Sequence, residues 1–311
     1  MRLALMLLLA TPALAGRQVA ARDGANLQRP TWSPDGAYLA YEANFHDLKI
    51  IELYVGATNG PFTRVMPSTR GASSIASGFG ATSSSSGKVA HELTWAPPNV
   101  GRYVYAASNA ANDYDLYIQN GGAIERGPGA DGGAAWSPDG QHIVFTSART
   151  GQGDLYLIHV SSIGAPPKRL TRNPTASELF AVWSHDSQRI AFVGKGRTGD
   201  NIYMLPSLTG TPVQLTFWSG TQTAPSFSPD GKKIAFFANK DKADRFDLYV
   251  MDAVEGGEVQ LVTKDVLINP GGARWTPDGE KLVFTCNNDE KFDPICMASP
   301  AKDTTVKILD L

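Results

Sequence analysis

The chain reads as an all-β protein, a six-bladed β-propeller of four-stranded antiparallel blades, and two observations predict this. An aromatic residue followed by a Ser- or Thr-led turn recurs as Trp32-Ser-Pro-Asp-Gly36, Trp136-Ser-Pro-Asp-Gly140, Trp183-Ser-His-Asp-Ser187, Phe227-Ser-Pro-Asp-Gly231 and Trp275-Thr-Pro-Asp-Gly279. A sixth copy, distorted by an insertion, is Trp95-Ala-Pro-Pro-Asn-Val-Gly101, and the aromatic residues lie 63, 41, 47, 44 and 48 positions apart. Repeats of this length mark propellers, solenoids or arrays, in which one supersecondary unit is copied. The composition agrees, with 42% hydrophobic residues, 31 Gly and 20 Pro, as expected of short strands joined by tight turns.

Each copy supplies four strand signals. In residues 179–216 they are Ala181–Trp183, Arg189–Val193, Asn201–Leu205 and Val213–Thr216, rich in Ile, Val, Phe and Tyr and bounded by Gly, Pro and Asp. The Ser-Pro-Asp-Gly link makes a tight hairpin, because Pro suits the first turn position, Asp the second, and Gly the positive-φ residue after it. Third strands recur as Glu52–Val55, Asp115–Ile118, Asp154–Leu157, Asn201–Met204, Asp247–Val250 and Pro294–Met297. Six such sheets set radially leave only short, protected edges. The repeated aromatics Trp32, Trp95, Trp136, Trp183, Phe227 and Trp275, with Phe145, Phe192, Phe236 and Phe284, are the expected core.

The second strand ends on a small residue (Ala43, Ala107, Ser147, Gly194, Ala238), and Tyr marks the third (Tyr54, Tyr117, Tyr156, Tyr203, Tyr249). In the sixth repeat both slots change together, to Cys286 and Cys296. Adjacent antiparallel strands bring such slots within side-chain reach, which predicts a Cys286–Cys296 disulfide suited to an oxidising compartment.

Residues 1–15 read as a signal peptide: a basic start at Met1-Arg2, an apolar stretch from Leu3 to Leu9 and a small-x-small site at Ala13-Leu-Ala15. Residues 16–27 form an N-terminal extension and 28–311 the propeller, with a flexible Ser/Gly-rich loop at 71–87. No later segment is a candidate membrane span, so a periplasmic or secreted monomer is expected. The net charge of −2 and pI near 6.2 leave no global basic footprint for nucleic acid.

The Trp-Ser-Pro-Asp-Gly turn, the Ile-Ala-Phe strand (Ile190–Phe192, Ile234–Phe236), the Asp-Leu-Tyr-Val strand and the Leu-Thr ending (Leu170-Thr171, Leu215-Thr216) resemble the repeats of TolB-type propellers, over roughly residues 28–309. The resemblance implies fold strongly and function weakly. Such blades occur in the envelope protein TolB, in non-catalytic domains of prolyl-oligopeptidase-type peptidases and in some metal-dependent polysaccharide lyases. Neither the α/β domain that precedes the propeller in TolB nor the hydrolase domain of the peptidases is expected in this sequence, so partners of those proteins are not carried over.

Candidate chemistry is sparse. Asp35, Asp139, Asp186, Asp230 and Asp278 sit in the tight turns and are read as structural; Asp115, Asp154 and Asp247 open third strands and are expected to bond their own loop backbone. His91 and Glu92, near the expected channel mouth and joined by Asp131 and Glu178, are weak candidates for a metal site by fold analogy. The stretches Gly80–Lys88 and Ser85–Lys88 lack the spacing and partners of a phosphate loop or a Ser-x-x-Lys nucleophile, so no catalytic residue and no cofactor are assigned. What remains is the face carrying the links between strands two and three and between repeats. The links at 148–152, 195–199 and 239–245 carry a net +4 between them. Arg149, Arg172, Lys195, Arg197, Lys240, Lys242 and Arg245, with Trp218 as an aromatic anchor, define a candidate face for an acidic envelope protein or anionic envelope polymer. The expected function is a non-enzymatic binding scaffold. The alternatives are a metal-dependent envelope enzyme of polysaccharide lyase or hydrolase type, and a docking subunit for a separate catalytic chain.

Overall fold

A computed structural model describes residues 26–45, 50–57, 62–65, 90–98, 100, 102–108, 114–120, 122–125, 127–172, 177–197, 199–240, 245–263, 267–268, 272–287, 295–300 and 307–308, some by backbone alone. The expected signal peptide, the 71–87 loop, Lys242 and the side chains of His91, Glu92 and Cys286 lie outside the described residues.

The repeated turn is built by its own side chains. In all five copies the Ser or Thr hydroxyl donates to the Asp two residues on, at 2.5–2.6 Å. The same oxygen accepts the N–H five residues on, at 2.9–3.0 Å. The residue closing the turn has positive φ: Gly36, Gly140, Gly231 and Gly279 at 68–74°, and Ser187 at 60°. Ser187 keeps a second contact there, since its hydroxyl accepts the N–H of Asp139 in the preceding repeat at 3.0 Å.

These turns join first and second strands in every repeat but the second, where the distorted copy after Trp95 does so. The first repeat holds β1 (Asn26–Trp32), β2 (Tyr38–Phe45), β3 (Ile50–Ala57) and β4 (Phe62–Arg64). The second holds β5 (Ala90–Trp95), β6 (Tyr103–Ser108), β7 (Tyr114–Ile118) and β8 (Ala123–Glu125). The third holds β9 (Asp131–Trp136), β10 (His142–Ser147), β11 (Asp154–His159) and β12 (Lys168–Arg169). Each of these forms an antiparallel sheet in chain order. In the fourth, β13 (Ser177–Trp183), β14 (Ile190–Lys195), β15 (Gly199–Leu205) and β16 (Val213–Gln214) do the same. So do β17 (Gly220–Phe227), β18 (Lys233–Ala238), β19 (Asp247–Asp252) and β20 (Val259–Leu261) in the fifth. The fourth and fifth are joined into one eight-stranded sheet by a short parallel pairing, Gly199 to Gly220 and Asp200 to Thr221. The approach requires glycine: a Cβ on Gly199 would lie 2.7 Å from the Gly220 carbonyl oxygen. In the last repeat the first strand is split into β21 (Leu267–Ile268) and β22 (Arg274–Trp275), both paired with β23 (Leu282–Asn287), followed by β24 (Ile295–Ala298) and β25 (Lys307–Ile308).

First strands are longer than their apolar cores suggest; β13 starts at Ser177, ahead of the predicted Ala181. Register shifts break the β1, β5, β9, β13 and β17 pairings. At the shift in three of them one residue takes positive φ: Gly133 at 59°, Phe180 at 55° and Ala224 at 51°, the signature of a β-bulge with a left-handed residue. Phe180 is 51% exposed.

The core lies between repeats. Alternate residues of one strand face opposite neighbours: Ile143 and Phe145 pack with Val104, Ala106 and Leu116 of the second repeat, while Val144 packs with Trp183, Ile190 and Phe192 of the fourth. The clusters around Phe236, Phe237 and Leu53 likewise each draw on two consecutive repeats. Of the expected core, Trp136, Trp183, Phe145, Phe192, Phe236 and Phe284 are buried, and Trp95, Phe227 and Trp275 are partly buried against these clusters. The indole N–H also reaches across: Trp95 donates to Thr31 O (3.2 Å), Trp183 to Ala135 O (3.0 Å) and Trp275 to Ser226 O (3.0 Å).

The small slot works as the repeat implies. In the fourth repeat a Cβ on Gly194 would lie 2.6 Å from Cε2 of Tyr203, so the ring occupies the space that glycine leaves. Cys296, buried and opposite Phe284, stands where Tyr203 stands opposite Phe192. Cys286 holds the backbone position equivalent to Gly194.

Candidate partner-binding face

The hairpin turns occupy one end of each sheet, so the links between second and third strands, and between repeats, emerge at the other. The turn carboxylates Asp35, Asp139, Asp186, Asp230 and Asp278 are held below their ordinary pKa; the Ser or Thr hydroxyl and backbone N–H groups they accept favour the ionised form, against some desolvation at Asp139. They serve the turn, as the sequence indicates.

At the link end, each of three fourth strands closes on its Leu-Thr or Val-Thr ending. The residue before the Thr still donates its N–H to the third strand at 2.8 Å (Leu170 to Leu155 O, Leu215 to Ile202 O, Val262 to Leu248 O), and the Thr hydroxyl accepts the first N–H of the third strand's apolar run. Leu155 donates to Thr171 at 2.9 Å, Ile202 to Thr216 at 2.9 Å and Leu248 to Thr263 at 2.8 Å. The next repeat's first strand then caps that hydroxyl. Glu178 accepts from Thr171 and, at 3.2 Å, from the Leu155 N–H; Gln222 accepts from Thr216 at 3.1 Å.

Asp131, Glu178 and Gln222 therefore hold equivalent places, paired across the hairpin with Ser147, Gly194 and Ala238, and all three are buried. Burial pushes Glu178 up to about 7, opposed by the Thr171 and Leu155 hydrogen bonds. Burial likewise pushes Asp131 up to about 6, opposed by Ser147 and Arg149. These two carboxylates are each tied to their own neighbours, and among the described residues no group of three or more His, Cys, Asp or Glu side chains converges in a metal-binding arrangement. Only the backbones of His91 and Glu92 in β5 are described.

The basic residues divide into two sets. Arg149 turns inward: its guanidinium lies 2.9 Å from Glu125 of the second repeat and 3.3 Å from Asp131, donates to Ser147, and covers the Tyr156 ring at 4.6 Å. Its side chain is 13% exposed. Asp154, expected to bond loop backbone, instead takes Arg169 at 2.8 Å and the Thr150 hydroxyl. Arg172, Lys195, Arg197 and Lys240 are exposed, and Arg245 is half-buried. Trp218 is half-buried, its ring 5.0 Å from Tyr249 and 5.8 Å from Phe236, and Lys240 Nζ sits 4.4 Å over its face. Beside Trp218, Phe217 does reach outward and is 71% exposed. Sequence reading passed over it, although two consecutive aromatics in a link between repeats are a signal in themselves.

A succession of antiparallel β units, consecutive ones sharing apolar clusters and three of the junctions bridged by an indole N–H, defines a repeat protein of β-propeller type. Comparison with known proteins places the likeness more closely. The family described as TolB beta propeller domain matches residues 164–293. The Tol-Pal system protein TolB of Francisella tularensis subsp. mediasiatica is 33% identical over 104 residues, 32% of this chain and 23% of that protein. An uncharacterised protein of Agrobacterium fabrum, Atu1656, is 31% identical over 155 residues, 48% of each chain. The chain thus matches under half the length of these curated relatives. Among solved structures, TolB from Acinetobacter baumannii superposes with a TM-score of 0.59 at 18% identity, covering 88% of this chain and 66% of that one. The β-propeller domain of the Trilobed protease from Pyrococcus furiosus, described as having an open velcro topology, gives 0.60 at 13% identity, covering 92% and 85%. The chain is thus similar to TolB-type β-propellers, by sequence over residues 164–293 and by fold over most of its length. Among the described residues no helix is long and apolar enough to cross a membrane.

Proposed function

We propose that the chain is an exported, non-enzymatic binding scaffold of the bacterial envelope, periplasmic or secreted, whose repeats form six blades and whose link face holds an acidic partner protein or anionic polymer. The observation that carries this is the segregation of charge at the link end. Asp131 and Glu178 there are buried and internally bonded, and Asp131 and Asp154 are paired with Arg149 and Arg169, so that beside the partly exposed Asp200 the cations Arg172, Lys195, Arg197 and Lys240 are exposed. Such an electropositive rim speeds and orients the docking of acidic surfaces. A Cys286–Cys296 cross-link belongs to the same proposal: Cys296 is buried, and the described residues include no free cysteine.

The test is capture from bacterial envelope extract with residues 16–311 as bait, against a control with Lys240, Lys242 and Arg245 changed to Glu. A partner held by the native chain at low salt and lost by the control is the expected result. Absence of any partner sinks the scaffold reading. The likeness to a protease propeller favours one second reading, a docking subunit for a catalytic chain, which the same capture identifies by hydrolytic activity in the eluate.

A further inference from the structure

We propose that Phe217 anchors a docking site for an acidic protein segment carrying one aromatic or long aliphatic side chain, with Lys195, Arg197, Lys240 and Arg172 binding the flanking carboxylates. This rests on the scaffold reading and names the partner's chemistry.

Phe217 lies on the link from the fourth repeat to the fifth, immediately after Thr216, whose hydroxyl is fixed by Ile202, Asn201 and Gln222. Trp218, immediately after it, is held against Tyr249 and Phe236. The two neighbours are thus immobilised by buried contacts, and Phe217 is presented between them on a short, tethered stretch. A large aromatic ring 71% exposed on rigid supports loses little entropy on binding, which is what hot-spot residues share. Trp218 does not offer the same surface, because Lys240 covers its face at 4.4 Å.

The surrounding charge selects the partner. The second-to-third link of the fourth repeat contributes Lys195 and Arg197, that of the fifth Lys240, and the link from the third to the fourth repeat Arg172, all exposed. Among the described residues of these links Asp200 is a partly exposed carboxylate, its pKa raised by burial and opposed by Lys195. An exposed apolar ring on the same end of the fold as these exposed cations suits neither a neutral hydrophobic peptide nor a uniformly charged polymer. It fits carboxylates spaced around one apolar side chain.

The experiment is selection of random peptides displayed on phage against immobilised residues 16–311, followed by fluorescence anisotropy of the selected peptides. The expected consensus holds several Asp or Glu around one Trp, Phe or Leu. Affinity should fall by roughly one to two decades in Phe217→Ser, the equivalent of losing one buried aromatic contact. It should also fall in Lys195→Glu and Lys240→Glu, and weaken with salt. Phe217→Ser should unfold at the same temperature as the native chain, since its ring is outside the core; Phe217→Leu, which keeps an apolar side chain, should bind with intermediate affinity. A neutral or basic consensus, no enrichment, or affinity indifferent to Phe217→Ser overturns the proposal. So does poly-glutamate bound as tightly as the peptides, the outcome expected of an anionic-polymer face. An envelope partner captured equally by the native chain and Phe217→Ser would remove the anchor and leave the scaffold reading standing; capture of nothing by either would remove both.

Discussion

Trp183 and Phe227 occupy the same place in successive repeats, and the difference between them is one hydrogen bond. The Trp183 indole donates to Ala135 O at 3.0 Å, whereas Phe227 has no donor to offer. Trp136 provides a contrast, because its Nε1 is buried with no partner among the described residues. Trp183→Phe should therefore cost about 1–2 kcal/mol through the lost bond and the carbonyl left behind, beyond the packing lost by shrinking the ring. Trp136→Phe loses packing alone and should cost less. Chemical denaturation of the two variants checks the order, and equal losses would mean that the indole bonds contribute nothing. The recurring aromatic was legible in the sequence as a core residue. Its choice of Trp over Phe was not, because the acceptor carbonyl belongs to a repeat more than forty residues away.

Glu178 and Gln222 show the same economy at the level of the strand. Both cap the Thr that closes the preceding fourth strand, one with a carboxylate and one with an amide. Glu178 has its pKa raised from 4.5 to about 7, so the folded state binds the proton more tightly than the unfolded chain. That contribution is complete below pH 4.5 and is lost as pH rises towards 7, on the order of 3 kcal/mol in all. Asp131, raised from 3.8 to about 6, acts in the same sense over a lower window. The lowered turn aspartates act oppositely, giving stability that disappears as pH falls through their depressed values. Stability should thus decline between about pH 5 and pH 7, and Glu178→Gln, which copies the fifth repeat, should flatten that decline and stabilise the protein at pH 7.5. Melting curves across this range decide it; an unchanged slope in the variant would show that Glu178 is not the group responsible. From sequence, Asp131 and Glu178 were weak metal candidates by fold analogy, and Arg149 was one of the cations that charge counting along the links assigned to a binding face. All three side chains are largely buried, which spacing alone does not report.

At the scale of the molecule, the repeat period gave away the architecture, since four strand signals and one turn recur with little variation. The short parallel join at Gly199 and Gly220 and the divided first strand of the last repeat were hidden, because both depend on backbone approach rather than on side-chain pattern. In the repeat of residues 267–308 the small-slot and Tyr pair gives way to Cys286 and Cys296. A cross-link at that point should add about 2–4 kcal/mol. Denatured, unreduced protein should show no maleimide-reactive thiol, and reductant should lower the unfolding midpoint. Two reactive thiols without reductant would refute the pairing.

Every described apolar cluster is shared by two consecutive repeats, and this has a consequence for the order in which the chain takes shape. A chain that arrives from its N-terminal end, whether at a ribosome or through a translocation pore, completes the strands of one repeat before the strands that will cover them exist. Until the following repeat arrives, each newest sheet holds one oily side against its predecessor and the other towards water. The growing end is always the vulnerable end, and it is covered only when another copy follows.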